Sequence, residues 1–497
     1  MGVVIKQSFW GTLIAYLGIA VGYLNALYFR AEYFDLDQIG LFTLITANAM
    51  IISPISSLGA ASSYLKYFPS FEKKDQNKLF TYLFIISILG NALVIVFGYL
   101  GKDIVAARYA DAAPKYIEFL AVSAVIILSN SLFDIFYNYS RSILKIIFPS
   151  FIQDLYLRIG SLLLVFGYAV RWWNFDSSIV GLGILYFSTV ILIVLQLMIV
   201  HKLRFNFSFS IISYDWRKKL IKFSLYSMLL AGSFSIINNI TYDQVTAILG
   251  SKQNGIFTTC FFIALIVEMP RRNMAKVIAP ILSEEFEKNN MNEVGAIYKK
   301  SSITMSVIGM LLYIGIITNL EDLFAFIPKG EEFKLGYWVV VGVCTAKLIL
   351  MISSFAGEII NFSKYYRFNL LFQLTVAILL IVLNNKLSPV WGLNGAVIAY
   401  LSSMLIHILL KAGFVYFKFG IHPLVRSHIV LILLGFVIAA LAMVIKFDFN
   451  PIANILLRSF LISITFITLI YRFRISSDIN RLIHSTFERF LNITLPK

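Results

Sequence analysis

Two cysteines and five histidines are all that 497 residues hold of the side chains most used to bind transition metals or to attack substrates. Cys260 and Cys344 stand singly inside long apolar runs, so they read as small packing residues, and no disulfide is expected. Of the histidines only His407 falls inside such a run. No carboxylate lies near it in sequence to orient it, which argues against an acyltransferase and for a packed imidazole. The chain has no G-x-x-x-x-G-K-[ST] loop, so any pumping must draw on an ion gradient rather than ATP. It also has no polar segment long enough to form an outer domain of the kind a polysaccharide polymerase or ligase uses. No catalytic residue, metal or cofactor is expected, and the chain does not read as an enzyme.

What is present in excess is apolar surface. The sequence is 59% apolar and 15% aromatic with only 14% charge, against about 45–50% apolar in an ordinary soluble domain. Apolar runs of about 20 residues recur along its whole length, each enough to cross a hydrocarbon core of about 30 Å as a helix. Fourteen can be drawn, from 8–28 to 453–471. They are far longer than barrel strands, so the fold expected is an all-α integral membrane bundle. With an even number of crossings both termini share one face. Lys and Arg concentrate in the loops of that face, including "HKLRFNF" and "WRKKLIK", so it is expected to be cytoplasmic. The net charge of +16 is then mostly topology, and its scatter over many short loops argues against nucleic acid as a partner.

The chain also says the same thing twice. "QIGLFT" at Gln38 returns as "QNGIFT" at Gln253, and "FEKKDQN" at Phe71 returns as "FEKNNMN" at Phe286. Both offsets equal 215 (253 − 38 and 286 − 71), so two separate matches share one register. Each copy holds six spans, an even number, and the copies should be related by an axis along the membrane normal. The organisation expected is an N-lobe over 1–200, a cytoplasmic linker over 201–221, a C-lobe over 222–420, and two further spans with an amphipathic tail over 421–497. In the linker Ser213 or Asp215 can cap a short surface helix. In the tail Ile479, Leu482, Ile483, Phe487, Phe490 and Leu491 fall near helical spacing, as an interfacial helix requires.

The opening "KQSFWGTLIAYLGIAVGYLNALYF", the glycine turn "FDLDQIGLFTLI", its echo "LGSKQNGIFTTC" and the 6+6+2 plan resemble the polysaccharide-repeat (O-antigen or capsule type, Wzx-like) flippases. These share a superfamily with the lipid II flippases and the multidrug antiporters. The resemblance implies transfer of an undecaprenyl-pyrophosphate-linked oligosaccharide from the inner to the outer leaflet of a bacterial inner membrane by alternating access. It further implies drive by a proton or sodium ion, contact with membrane lipids, and polysaccharide polymerase and chain-length machinery as partners. A multidrug or small-metabolite cation antiporter and a lipid II flippase are the alternatives on the same fold.

Arg30, Asp134, Asp154, Arg158, Asp243, Glu268, Arg271, Arg272, Lys347, Glu358 and Arg458 lie in or near the apolar runs, where ionisable groups are costly and are functional candidates. Asp154 with Arg158, and Glu268 with Arg272, are four apart, and each pair can neutralise itself on one helix face. Arg458 and Glu358, near run ends, read as anchors. Asp243 has no basic residue within four positions, and it is the leading candidate for ion coupling, with Asp134 and Glu268 beside it; a structural hydrogen bond is the alternative. Lys347 lies deep in its run, and 347 − 215 = 132 places it two residues from the register of Asp134. It is expected to receive the pyrophosphate with help from Arg30, Arg271 and Arg272, and to rest against Asp134 or Asp243.

Overall fold

In a computed structural model, residues 2–109, 114–200, 203–209, 212–445 and 447–491 are described, with side chains from 13 to 485. The chain is helical, with no strand among the described residues. Among the described residues, thirteen helices are long and apolar enough to cross a membrane. One of them, Arg367–Phe419, has 53 residues, about 80 Å at 1.5 Å per residue and far more than a bilayer needs. It breaks at Gly392, where φ 57° and ψ −136° are open to glycine and not to a helix. It therefore holds two crossings, and the protein is a fourteen-span, multi-pass membrane protein. Spans 1 to 10 are Leu13–Tyr33, Leu36–Ser56, Gln76–Leu100, Leu120–Ser142, Ile147–Ala169, Phe175–Ile199, Tyr214–Leu249, Ser251–Glu287, Met291–Thr318 and Gly330–Ser353. Spans 11 and 12 are the arms of Arg367–Phe419, and spans 13 and 14 are Arg426–Val444 and Pro451–Arg472.

The described residues form two compact units, Met1–Thr258 and Thr259–Lys497. Their boundary falls inside span 8 rather than at the linker. In unit 1, span 2 packs on spans 4 and 7. Span 7 is capped by Ser213, whose hydroxyl accepts from the Trp216 amide at 3.4 Å. No separate surface helix forms there: between Tyr214 and Gly232 the sequence has neither glycine nor proline to interrupt it, and one helix of 36 residues continues to Leu249. The chain ahead of it, 203–209, is extended across span 3. Phe205 and Phe209 pack on Phe84 and Tyr82 at ring separations of 5.1 and 5.7 Å.

The repeated hexapeptides meet inside unit 1. A methyl group on Gly40 would overlap the carbonyl oxygen of Ser251, and one on Gly255 would overlap that of Leu36. Subtracting 215 turns Ser251 into position 36 and Gly255 into position 40, so each repeated glycine touches the backbone of the other copy at the corresponding place. Both glycines are inside helices, not in turns as the sequence pattern suggests. They serve close helix approach. The turn into span 2 is closed instead by Gln38, whose side-chain oxygen accepts from the Asp35 amide at 3.0 Å, and the turn into span 8 by Gly250 at φ 93°.

In unit 2, Ile303, Val307, Met310 and Ile314 of span 9 pack with Leu431 and Ile438 of span 13 and with Ile462 and Phe466 of span 14. Arg458 of span 14 acts as an anchor: it meets Asp322 at 2.7 Å, the Thr318 carbonyl at 3.0 Å and Asn319 at 3.1 Å. The tail forms a helix, Ser477–Leu491, and Ile479 joins the core of spans 9, 13 and 14. Phe487, Phe490 and Leu491 lie outside the described side chains.

Two outcomes are expected. Gly255→Ala gains about 1 kcal/mol of helix propensity but overpacks a backbone contact at a cost of about 1–3 kcal/mol, so its thermal midpoint in detergent should fall; a raised midpoint would mean the two helices separate freely. If the termini are cytoplasmic, as the distribution of Lys and Arg leads one to expect, single cysteines replacing the exposed Ile104 and Leu335 should react with an impermeant maleimide in intact cells, while one replacing the exposed Phe207 should not. The opposite labelling pattern would invert the orientation.

Candidate functional site

Span 10 ends at Ser353, where φ 25° at Ser354 breaks the helix. Lys347 is ten residues from Tyr337 and six from this break, about 15 and 9 Å along the axis. That is less central than the apolar run implies. Its ammonium is buried and lies 2.5 Å from Oε2 of Glu268. The other oxygen, Oε1, accepts from Arg272 one turn further along span 8, at 3.2 Å. A buried carboxylate is thus held between two cations, and Lys347 also faces the Tyr400 and Phe261 rings at 5.7 and 6.0 Å. The resting partner of Lys347 is Glu268, not Asp134 or Asp243. The cause is positional: Glu268 projects from a short 3₁₀ turn, Ile266–Glu268, packed against span 10. The i,i+4 contact of Glu268 with Arg272 does form, yet it is one side of a three-membered group.

Arg271, the next residue, turns away from that group. Its Nε donates to the Ser354 carbonyl at 2.9 Å, and its guanidinium meets Glu358 at 3.4 Å. It therefore binds the broken end of span 10, where the unpaired carbonyl needs a donor.

In unit 1, Asp243 is buried six residues from the end of span 7. It is not an isolated carboxylate. Arg108 reaches it at 2.5 Å and the Tyr109 hydroxyl donates to its other oxygen. Both partners come from a short helix, Lys102–Tyr109, in the loop after span 3. Asn48 of span 2 donates to Tyr109 at 3.2 Å and to Tyr116 at 3.0 Å, so the group ties spans 2 and 7 to that loop. Arg30 has a different environment. It donates to Ser161 at 3.0 Å and lies 4.1 Å from the centre of the Phe42 ring, while its Nε is buried without an acceptor. It forms no ion pair with a carboxylate among the described residues.

Asp134 likewise has no ion pair and no side-chain hydrogen bond among the described residues. It is half-buried on span 4, eight residues from Ser142. Asn130, Asp134, Asn138 and Arg141 follow one another at spacings of 4, 4 and 3, which makes a polar stripe down one face of that helix. Its other face, with Phe133, Phe136 and Tyr139, belongs to the core of unit 1.

The Lys347–Glu268 pair has a measurable consequence. Lys347→Met or Glu268→Leu alone leaves a buried charge without its partner and should cost about 3–5 kcal/mol. The double substitution should recover most of that loss. Additive losses in thermal unfolding would show that the two residues act independently.

No family model matches the chain, and no curated protein matches it in sequence. Its fold does have known relatives. The lipid II flippase MurJ in an inward closed conformation aligns with TM-score 0.77 at 12% identity, over 94% of this chain and 99% of that one. A multidrug resistance MATE family transporter of the MOP superfamily aligns in its inward-facing form with TM-score 0.60 at 13% identity, over 83% of this chain and 98% of that one. An outward-facing MATE structure gives 0.57 at 13%, over 84% and 95%. The chain has the fold shared by the lipid II flippase and the MATE transporters.

Proposed function

We propose that this protein is a flippase for an undecaprenyl-pyrophosphate-linked oligosaccharide, moving it from the inner to the outer leaflet of a bacterial cytoplasmic membrane by alternating access, with both termini cytoplasmic. The observation that carries the reading is the Lys347–Glu268–Arg272 group, in which the lysine and the carboxylate are buried and the arginine is exposed. Two cations share one carboxylate there, on helices that read as membrane spans. Such charge is costly in hydrocarbon and is retained where it meets an ionic substrate. A pyrophosphate supplies oxyanions that can replace Glu268 against Lys347 and Arg272, and the isoprenoid tail can remain in lipid. Arg271 holds the end of span 10 beside them, and Arg30 offers a second buried cation in unit 1.

For coupling, the unpaired carboxylate of Asp134 on its polar stripe supports a proton or sodium role better than Asp243 does. Asp243 already has Arg108 and Tyr109 as partners, and we read this group as a latch on the outer side of unit 1. The N-lobe and C-lobe division of the sequence, 1–200 and 222–420 joined by 201–221, remains our proposal for the moving parts. Likeness to the lipid II flippase supports a diphosphate lipid in general. Likeness to MATE transporters, with the lone Asp134 carboxylate, supports efflux of small cations as the second reading.

The test is reconstitution in vesicles. Wild-type protein should transfer a pyrophosphate-linked oligosaccharide lipid across the bilayer, Lys347→Ala should abolish transfer, and Lys347→Arg should keep part of it, since another cation still meets the oxyanion. Asp134→Asn should remove stimulation by an imposed gradient while leaving lipid binding intact. Efflux of a cationic dye without lipid transfer would favour the antiporter.

A further inference from the structure

A second cationic group lies in unit 2 and is not used by the Lys347 site. Span 12 runs to Phe419, so Lys411 is inside it, one turn after His407. Its ammonium rests against Gly357, 3.2 Å from where a methyl group on that glycine would be. It has no hydrogen bond or ion pair to an acceptor among the described residues. Lys411 lies within electrostatic reach of both Glu358 and Arg271, and His407 within reach of Lys411 and Arg271. Glu358 gives one oxygen to Arg271 at 3.4 Å, while its other oxygen is buried with no hydrogen-bond partner among the described residues.

The arrangement repeats that around Glu268: one carboxylate with two cations. Although Arg271 bonds to Glu358 rather than to Glu268, it lies within electrostatic reach of Glu268 as well, so the two groups, Arg272–Glu268–Lys347 and Arg271–Glu358–Lys411, are neighbours. A methyl group on Gly357 would press on the Lys411 ammonium, which would have to give by a few tenths of an ångström. An ammonium without an acceptor and a carboxylate oxygen without a donor are both costly in a buried site. A ligand bringing oxyanions would supply the first and displace the second.

Resting on the flippase reading, we propose that Lys411 and Arg271, with Glu358 as resident counter-ion, form a second phosphate subsite beside Lys347 and Arg272, so that the protein selects a diphosphate over a monophosphate lipid. A diphosphate has two phosphoryl groups joined by one oxygen and can engage both cation pairs together. A monophosphate engages one. The two carboxylates keep the site from being a bare cluster of positive charge when it is empty, and Glu358 competes with the incoming phosphate.

The test measures binding of farnesyl diphosphate and farnesyl monophosphate to the purified full chain in nanodiscs. Wild-type protein should prefer the diphosphate. Lys411→Gln should lose about tenfold or more in diphosphate affinity, the scale of one charge-assisted hydrogen bond, with monophosphate affinity unchanged, and Lys411→Arg should restore most of it. Glu358→Gln removes the competitor and should tighten diphosphate binding. Equal affinities for wild type and Lys411→Gln, equal losses for both lipids, or weaker binding in Glu358→Gln would overturn the subsite. If this binding pattern holds and vesicles transfer no oligosaccharide lipid, the subsite stands and the flippase reading falls.

Discussion

A charge carried into hydrocarbon must be met by an opposite charge or a dipole on another helix, and much of this bundle is arranged around that requirement. Lys347 of span 10 is met by Glu268 of span 8, and Asp243 of span 7 by Arg108 from the loop after span 3. Arg458 of span 14 is met by Asp322 from the helix after span 9. Each contact joins segments far apart in sequence, and each gives a direction to the helices it joins. Apolar packing alone discriminates weakly between rotations of such helices, since lipid is as good a neighbour as Leu. The buried pairs remove that freedom.

The pairs also differ in kind. The Arg458 group is richly bonded: the two terminal nitrogens of its guanidinium reach a carboxylate, a side-chain amide and two backbone carbonyls, and only its Nε is left without a partner among the described residues. Glu268 is shared by Lys347 and Arg272, and Glu358 is paired with Arg271 within electrostatic reach of Lys411. Arg30 and Asp134 in unit 1 have no ion pair among the described residues. A bundle that needed only to hold together would be better served by closing these valences, so fastening alone does not account for them.

How legible this is in the sequence depends on range. Spans are legible because hydropathy is local, and the repeat because two matches share one offset. Pairings are not: Lys347 and Glu268 are 79 residues apart (347 − 268), and no periodicity links them. Lys411 is hidden because a run of ordinary spanning length drawn from about 391 ends at 410, while the helix goes on through the apolar residues 412–417 to Phe419, so a lysine inside the helix reads as a loop charge. Arg108 and Tyr109 are hidden for the converse reason, since a polar loop folds back onto a span. The glycines of the hexapeptides were visible as a signal, but glycine marks turns and close helix approach alike, and only the partner backbone distinguishes them.

The reciprocal contact of Gly40 and Gly255 has the form of an isologous dimer interface, in which one patch meets itself across a two-fold axis. In a dimer of identical half-chains, any substitution at that patch would appear twice and face itself. Joined in one polypeptide, the two sides can change separately. Asn254 illustrates it: its side chain donates to the Gly40 carbonyl at 3.0 Å, while the matching position, 254 − 215 = 39, is Ile39, which has no donor to return. Fusion converts a symmetric seam into one whose two halves can specialise.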